Sequence, residues 1–415
     1  MMNKLFTLFL FASVLISCSK DDGPTVEQCS KPTNLQVTNI THAAATLSWE
    51  HSNPEASFTV EFGTAGFAPG SGTLLDTSET SLSLSSLNAE TTYDFYITAN
   101  CGNSNLSLPT NLTQFTTLQP PVVAEFRPQL SELNIYTGNL SNLEPGNYAF
   151  EYQLATPLFT DYAYKQRLIA LPQGTSLTYQ DDGLPVFPDN TVITKTFYYN
   201  IDDRDESLGK IILETRVLIK TNGEWTTGNY KWNETQTDAT LTQDGHEVPV
   251  SYTDTDGETV GLTYEIPSNT DCFTCHSNNN EVIPIGPKVR TLNSNGQLQH
   301  MIDTNLISNI ASENDAEALP NWEDSTNFTL EQRARAYFDV NCAHCHQPGG
   351  SCENESSLDF RYETRFDDTF IFDFKESIFA RMSSYFVPEY GMPLIGTTVL
   401  HEEGFALINA YINTL

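Results

Sequence analysis

Apolar and polar residues alternate along much of the first two thirds of the chain, and this period of two is typical of half-buried β-strands. One group of alternating runs lies between residues 34 and 99. A second group comprises residues 165–171, 191–199, 211–221, 228–232, 248–252 and 260–266. Turn residues such as Asn222-Gly223 separate neighbouring runs. The pattern predicts two all-β modules, over residues 29–118 and 125–268, and the second is expected to be an antiparallel sandwich or jelly roll.

The apolar spacing becomes helical after residue 328. Thr329 and Gln332 have the spacing of a capping box ahead of an amphipathic segment that runs to about residue 341. A second amphipathic segment, residues 405–412, closes the chain. We therefore expect a mainly α-helical domain over residues 328–415.

The first residues have the pattern of an export signal. Lys4 precedes the apolar run 5–16, which is too short to span a bilayer as a mature helix. Leu15-Ile16-Ser17-Cys18 resembles a lipobox, which implies a signal peptide over 1–17, a lipid on Cys18 and a tether over 18–28. Ser19-Lys20-Asp21-Asp22 resembles the signal that sends some Gram-negative lipoproteins to the outer-membrane surface. We expect an outer-membrane lipoprotein, facing the cell surface or the periplasm.

Residues 29–118 carry the core signature of a known sandwich. Trp49 lies in the second predicted strand, and Leu87 precedes Tyr93 by six residues, as in a tyrosine corner. These features resemble a fibronectin type III domain. Cys29 precedes the first strand and Cys101 follows the strand of Tyr93, so an intradomain disulfide is expected in an exported protein. Pro120-Pro121 predicts a stiff linker over 119–124.

The chain is strongly acidic. It has 53 acidic and 20 basic residues and a formal net charge of -33. Such a charge argues against nucleic acid and anionic membrane surfaces as partners, and it favours basic or neutral proteins.

Two copies of a CxxCH motif carry the candidate chemistry. They are Cys272-Phe273-Thr274-Cys275-His276 and Cys342-Ala343-His344-Cys345-His346. In an exported protein, CxxCH is the attachment signature of c-type haem: the two thiols bind the porphyrin covalently and the histidine ligates the iron. The alternative is a zinc site built from the two CxxC pairs, although zinc does not require a histidine after each pair. We expect two covalent haem c groups, one in 269–327 and one in 328–415.

A helix before the second CxxCH and another at the C-terminus resemble a small class I cytochrome c over residues 329–415. The resemblance implies that Met392 is the distal ligand of the second haem and that the Pro348 carbonyl orients His346. Met382, which lies in a predicted helix, is the alternative distal ligand. For the first haem the candidate distal ligands are His300 and Met301, of which we choose Met301, and an open iron is the alternative. Cys352 has no assigned role.

Residues 153–415 also resemble an uncharacterised family of exported dihaem c-type cytochromes. The resemblance implies that the β-rich module 125–268 belongs to the cytochrome. The matching stretches are Thr156-Pro157-Leu158-Phe159-Thr160-Asp161-Tyr162-Ala163, Glu214-Thr215-Arg216, Tyr230-Lys231-Trp232-Asn233-Glu234, Ile285-Gly286-Pro287-Lys288, Arg333-Ala334-Arg335-Ala336-Tyr337, residues 341–346 and Met392-Pro393.

The expected function is single-electron transfer between redox partner proteins at the cell envelope, or with a small-molecule donor or acceptor. No catalytic residue is identified. One alternative is an enzyme that resembles dihaem peroxidases, with an open first haem. The other is an adhesion protein whose fibronectin-like module is the working part.

Overall fold

The computed structural model describes residues 28–387 and 390–415. The predicted signal peptide and Cys18 lie outside the described residues. The described residues divide into two compact units, of which the first ends at Leu118 and the second begins at Gln119. Within the described residues, no helix is both long enough and apolar enough to cross a membrane.

The first unit is a sandwich of two antiparallel sheets, as the alternation predicts. One sheet has the strand order β1-β2-β5 and the other β4-β3-β6-β7. The strands are β1 (Thr33–Thr38), β2 (Ala44–Glu50), β3 (Ser57–Thr64), β4 (Thr73–Thr77), β5 (Ser81–Ser85), β6 (Thr92–Asn100) and β7 (Thr113–Thr116). Inward-facing residues of both sheets form one core.

The predicted core features of this unit lie in place. Trp49 is 4 % exposed, and the Tyr93 hydroxyl accepts a hydrogen bond of 2.9 Å from the backbone N–H of Asn88. That bond ties the turn before β6 to the strand, which is the function of a tyrosine corner. The predicted Cys29–Cys101 disulfide is confirmed, with a Cα–Cα distance of 5.6 Å.

The second unit combines a large sheet with short helices. Its strands are β8 (Ala149–Glu151), β9 (Tyr164–Ala170), β10 (Leu177–Thr178), β11 (Val192–Asn200), β12 (Lys210–Thr221), β13 (Glu224–Trp232), β14 (Ala239–Thr242), β15 (His246–Thr253), β16 (Thr259–Ile266), β17 (Ser277–Asn278), β18 (Glu281–Val282) and β19 (Ile307–Ser308). Its helices are α1 (Asn269–His276), α2 (Val289–Leu292), α3 (Gln297–Asp303), α4 (Leu330–Asn341), α5 (Ile371–Ser383) and α6 (Glu402–Ile412).

The predicted strands between 165 and 266 exist, but they do not form two facing sheets of similar size. Six strands make one antiparallel sheet in the order β14-β13-β12-β11-β9-β8, and β15 with β16 forms a separate hairpin. Leu168 and Val217 on one face pack against the turn Leu130–Leu133, whereas Ile193 on the other face packs against α2 and α3. Turns, helices and the hairpin thus cover both faces, in place of the second sheet that a sandwich would have.

Residues 119–124 differ from the stiff linker that Pro120-Pro121 predicts. Gln119 is 2 % exposed, and its Nε2 donates to the carbonyls of Asn134 and Tyr136 at 3.1 and 2.9 Å. Val123 N–H donates to the Leu133 carbonyl at 3.0 Å. These bonds satisfy the buried amide, so the segment belongs to the second unit.

Helices α4 and α6 lie where the apolar spacing predicts them. The capping box at Thr329 and Gln332 is present at the start of α4. Tyr337 and Phe338 of α4 share a core with Leu407 and Ile408 of α6. The stretches 125–268, 269–327 and 328–415, separated above by their patterns, lie in one compact unit.

Candidate functional site

The first CxxCH lies on helix α1, directly after strand β16. Ser268 is the N-cap: its Oγ accepts from the Asp271 N–H at 3.3 Å, and the Asp271 carboxylate accepts from the Ser268 N–H at 3.0 Å. The apolar pattern gives no sign of this helix. The reciprocal cap between Ser268 and Asp271 is the signal that could have found it.

His276 ends α1 and is held by a backbone neighbour. Its Nδ1 donates to the Ile283 carbonyl at 2.8 Å, and the Ile283 N–H donates back to the His276 carbonyl at 2.7 Å. Burial, helped by the nearby charge of Lys195, lowers the pKa of His276 to about 3. The ring is therefore neutral, and with Nδ1 engaged its Nε2 lone pair is available to a metal.

The two motifs meet, although 66 residues separate His276 from Cys342. The ligand atoms of Cys275, His344 and Cys345 all lie within 4.8 Å of one another. The β17–β18 hairpin after the first motif holds them there: Asn278 Nδ2 donates to the Pro348 carbonyl at 3.0 Å, and Asn279 N–H donates to the Gly349 carbonyl at 2.8 Å.

Cys352, which had no assigned role, lies against the second motif. Its thiol hydrogen-bonds with that of Cys345, and this contact and burial raise the pKa of Cys352. Burial also raises the pKa of Cys342 to about 12, whereas the Cys345 contact lowers the pKa of Cys275.

A cavity with about 860 Å³ of empty space, its open mouth included, borders the first motif. Its walls carry metal-binding side chains, basic side chains, the carboxylate of Asp271 and apolar side chains that include Leu158, Ile285 and Ile395. The potential ligands are Cys272, Cys275, His276, His344, Met382, Met392 and His401. Neutral imidazoles, thiols and thioethers are soft donors suited to iron, copper or zinc.

Met392 therefore lies on the wall of the cavity that His276 lines. His346, with which the sequence pairs it, is not among the residues of this wall, and its ring packs edge-on against Phe360 at 5.5 Å. Burial lowers the pKa of His346 to about 4, so this imidazole is also neutral at pH 7. The assignment of Met392 to one motif stays a prediction.

Met301 does not lie on this cavity, in contrast to the expectation that it ligates the first haem. It is 2 % exposed on α3 and packs with Leu298, Val289 and Ile193. The apolar face of α3 covers the sheet, so the thioether fills the core.

The Pro348 carbonyl does not contact the His346 ring as expected. It accepts from Asn278 instead, and His346 Nδ1 is a buried atom without a hydrogen-bond partner among the described residues. The carbonyl that was expected to orient His346 therefore bonds to the hairpin that follows the first motif.

His401 is a cavity residue that the sequence did not single out. Its ring stacks on Phe159 at 4.1 Å, and its Nδ1 hydrogen-bonds with the Tyr337 hydroxyl at 2.9 Å. Burial lowers the pKa of His401 to about 4. Its place directly before an amphipathic helix gave no signal of this role.

Asp161 holds the loop between Met392 and α6, part of which lines the cavity. Its carboxylate is 1 % exposed and accepts from the backbone N–H groups of Thr398 and Val399 at 2.7 and 3.1 Å. Burial raises the pKa of Asp161 although these bonds oppose the shift. The loop between Met392 and α6 is thereby anchored to the start of β9.

Residues 30–113 match the family model of the fibronectin type III domain, so the first unit contains such a domain. Among solved structures, the chain is similar to a redesigned β-sandwich protein, with 38 % identity, 21 % of this chain and 92 % of that chain covered, and a TM-score of 0.19. It is also similar to the fibronectin type III domain of human contactin 1, with 20 % identity, 24 % and 92 % covered, and a TM-score of 0.19. No curated protein matches the chain.

Proposed function

We propose that each CxxCH motif binds one haem c covalently and that the chain transfers single electrons at the cell envelope. The observation that carries this proposal is the environment of His276. Its ring is neutral, its Nδ1 is engaged by a backbone carbonyl, and it lines one cavity with both thiols of its own motif. A metal-ligating histidine in a protein is typically held in this way.

The residues present fit the group. The cavity combines two thiols and a neutral imidazole with apolar walls, which is the lining that a covalently attached haem requires. Cys272 and Cys275 would attach the first haem and His276 would ligate it; Cys342, Cys345 and His346 would serve the second. Met382 and Met392 offer thioethers, and His401 a further imidazole, for the remaining axial position. Bound haem supplies one-electron exchange at its iron.

The contact between the motifs supports transfer within the chain. Because Cys275 and Cys345 lie in one cluster, groups attached to them would be neighbours. Basic or neutral redox proteins remain the expected external partners of this acidic chain.

The test is export of the full chain from cells with the cytochrome c maturation machinery, followed by haem staining and intact mass measurement. We expect two haem masses in the wild type, one in Cys275→Ser and two in the control Cys352→Ser. Colourless protein from cells that mature a reference cytochrome would refute the proposal. Carbon monoxide binding by the reduced wild type would favour the peroxidase-like alternative, because a six-coordinate iron has no open position.

One observation favours a second candidate, a zinc site. Cys275, His344 and Cys345 are clustered and Cys352 contacts Cys345, which together provide the four donors of a tetrahedral structural site. Metal analysis of the same preparations separates the two. Zinc at one equivalent, lost in Cys352→Ser and in His344→Ala, would support this candidate against haem.

The envelope location and the role of the first unit are also proposals. Lipidation at Cys18 predicts that Cys18→Ser releases the protein from membranes. Deleting residues 29–118 should leave the redox spectrum unchanged, and loss of surface binding in that variant would support the adhesion alternative.

A further inference from the structure

Three cations form a row across the face of the six-stranded sheet nearest the first motif. Lys195 on β11 lies directly opposite Arg167 on β9 and opposite Arg216 on β12. Directly paired like charges destabilise a sheet. Arg167 is 4 % exposed and the Arg216 side chain 15 %, so solvent screens this repulsion poorly.

The protein supplies this basic row with little negative charge. Arg216 pairs with Glu214 at 2.5 Å, and the same carboxylate oxygen accepts from the Tyr264 hydroxyl at 2.7 Å. In residues 28–387 and 390–415, no carboxylate oxygen lies within 4.0 Å of Lys195 Nζ or of the Arg167 guanidinium.

The ring of Phe197 compensates only in part. Lys195 Nζ lies 5.3 Å and the Arg216 guanidinium 4.3 Å from its centroid. Cation–π contacts stabilise a cation less than desolvation destabilises it. A buried row of this kind therefore calls for an anion from outside the chain.

The row borders open space beside the first motif. Lys195 and Arg216 line the cavity that contains Cys272 and His276. All three cations line an adjoining cavity with about 520 Å³ of empty space, its mouth included, which His276 also borders. Arg216 Nε is buried and has no hydrogen-bond partner within the described residues. The N–H donors of the row are thus placed where a ligand can reach them.

We propose that Arg167, Lys195 and Arg216 form a carboxylate-binding subsite next to the first CxxCH. Guanidinium groups bind carboxylates in a planar, two-point geometry, and Lys195 adds a point charge between them. Two sources supply this chemistry. One is the propionate carboxylates of a haem attached at Cys272 and Cys275, which rests on the proposed function. The other is a free small dicarboxylate bound beside the motif, which does not.

The test uses the full chain produced with and without the haem maturation machinery. Thermal unfolding of the second unit is followed with added succinate, and with sodium chloride at equal ionic strength as the reference. The variants are Lys195→Met and Arg167→Met, which keep an unbranched apolar stem. The matched control is Lys210→Met, a cation of β12 that lines neither cavity.

We expect the two variants to differ from the wild type in opposite ways without and with succinate. Without succinate and without haem, removing one cation relieves repulsion, so each variant should melt at or above the wild-type temperature. A hundredfold excess of succinate over its Kd should raise the Tm of haem-free wild type by several degrees and leave both variants unchanged. The control should respond like the wild type.

The two sources give different results with matured protein. If propionates occupy the subsite, succinate no longer stabilises the haem-loaded wild type, and Lys195→Met lowers the reduction potential of one haem only. If a free anion binds there, succinate stabilises both preparations equally. Colourless protein that succinate still stabilises would refute the haem proposal and support the subsite. The subsite is overturned when haem-free wild type shows no succinate effect beyond chloride, or when both variants respond to succinate like the wild type.

Discussion

Asp339 offers a quantitative test of how the second motif is held. It lies on α4, three residues before Cys342, and is 4 % exposed. Its Oδ1 pairs with Lys288 Nζ at 2.9 Å, accepts from the Tyr362 N–H at 3.1 Å and lies 3.8 Å from Arg290. One buried carboxylate therefore joins α4 to the segment that precedes α2.

Replacing Asp339 with Ala leaves Lys288 and the Tyr362 N–H without their partner. Breaking a buried ion pair in this way costs about 3–5 kcal/mol. Arg290 keeps Glu363 at 2.6 Å, and the Lys288 side chain is 24 % exposed, so we expect about 3 kcal/mol, the low end of that range. Asp339→Asn keeps an acceptor for Tyr362 and should lose about 2 kcal/mol, since only the charge is removed.

Urea unfolding measures these differences, because Trp322 packs against Tyr337 of α4 and its fluorescence reports on the second unit. Glu331→Gln is the matched control: Glu331 is an exposed residue of the same helix, and its replacement should change the free energy of unfolding by less than about 0.5 kcal/mol. A loss below about 1 kcal/mol in Asp339→Ala would refute the assignment of this carboxylate as a main anchor of α4.

Three further predictions concern other parts of the fold. The pKa of His401 is about 4 in the folded state, below its ordinary 6.5, so its contribution to stability is present above pH 6.5 and is lost as the pH falls towards 4. Between pH 7 and 4 the free energy of unfolding should fall by about 1–2 kcal/mol less in His401→Gln than in the wild type, after allowance for the partial exposure of the ring. Urea titrations at each pH measure this difference, and the same pH profile in both proteins would contradict the prediction. Replacing Cys29 and Cys101 by Ser should lower the stability of the first unit by about 4 kcal/mol in the chain-entropy description, because the bridge closes 72 residues, and calorimetry should show no change in the second transition. Tyr93→Phe leaves the Asn88 N–H without its acceptor and should cost the first unit about 1–2 kcal/mol in the same experiment.

Local patterns in the sequence were sufficient for the long strands and for helices α4 and α6. Alternation found the long strands, the Thr329 capping box found α4, and the position of Cys29 and Cys101 around one module predicted their bridge. The alternation of side chains along a strand could also have revealed the basic row, because Arg167 lies on the same face as the apolar residues Ile169 and Leu171. A cation at an inward-facing position is a signal for a site, because its burial is costly without a partner.

The assembly of the site could not be predicted, because it depends on contacts between distant segments. Nothing near Met301 distinguishes a core thioether from a ligand; the choice is made by α3 packing on the sheet. Pro348 likewise loses its expected role to Asn278, a residue 70 positions away. Local spacing gives each motif its chemistry, whereas tertiary contacts determine which other side chains reach it.

The cavity is lined by residues from both the β module and the helical segment, in line with their lying in a single unit. Residues 156–161, just before β9, bond to the helical segment at both ends of the site: the Phe159 N–H donates to Asn341 Oδ1 at 2.8 Å, and Asp161 holds Thr398. Lys195 and Arg216 come from the sheet, His276 from α1, and Met392 from the anchored loop. A fragment that begins at residue 328 lacks the basic face, the first motif and the segment that holds the loop between Met392 and α6. The two motifs are therefore neighbouring sites within one folded unit rather than parts of two separate modules.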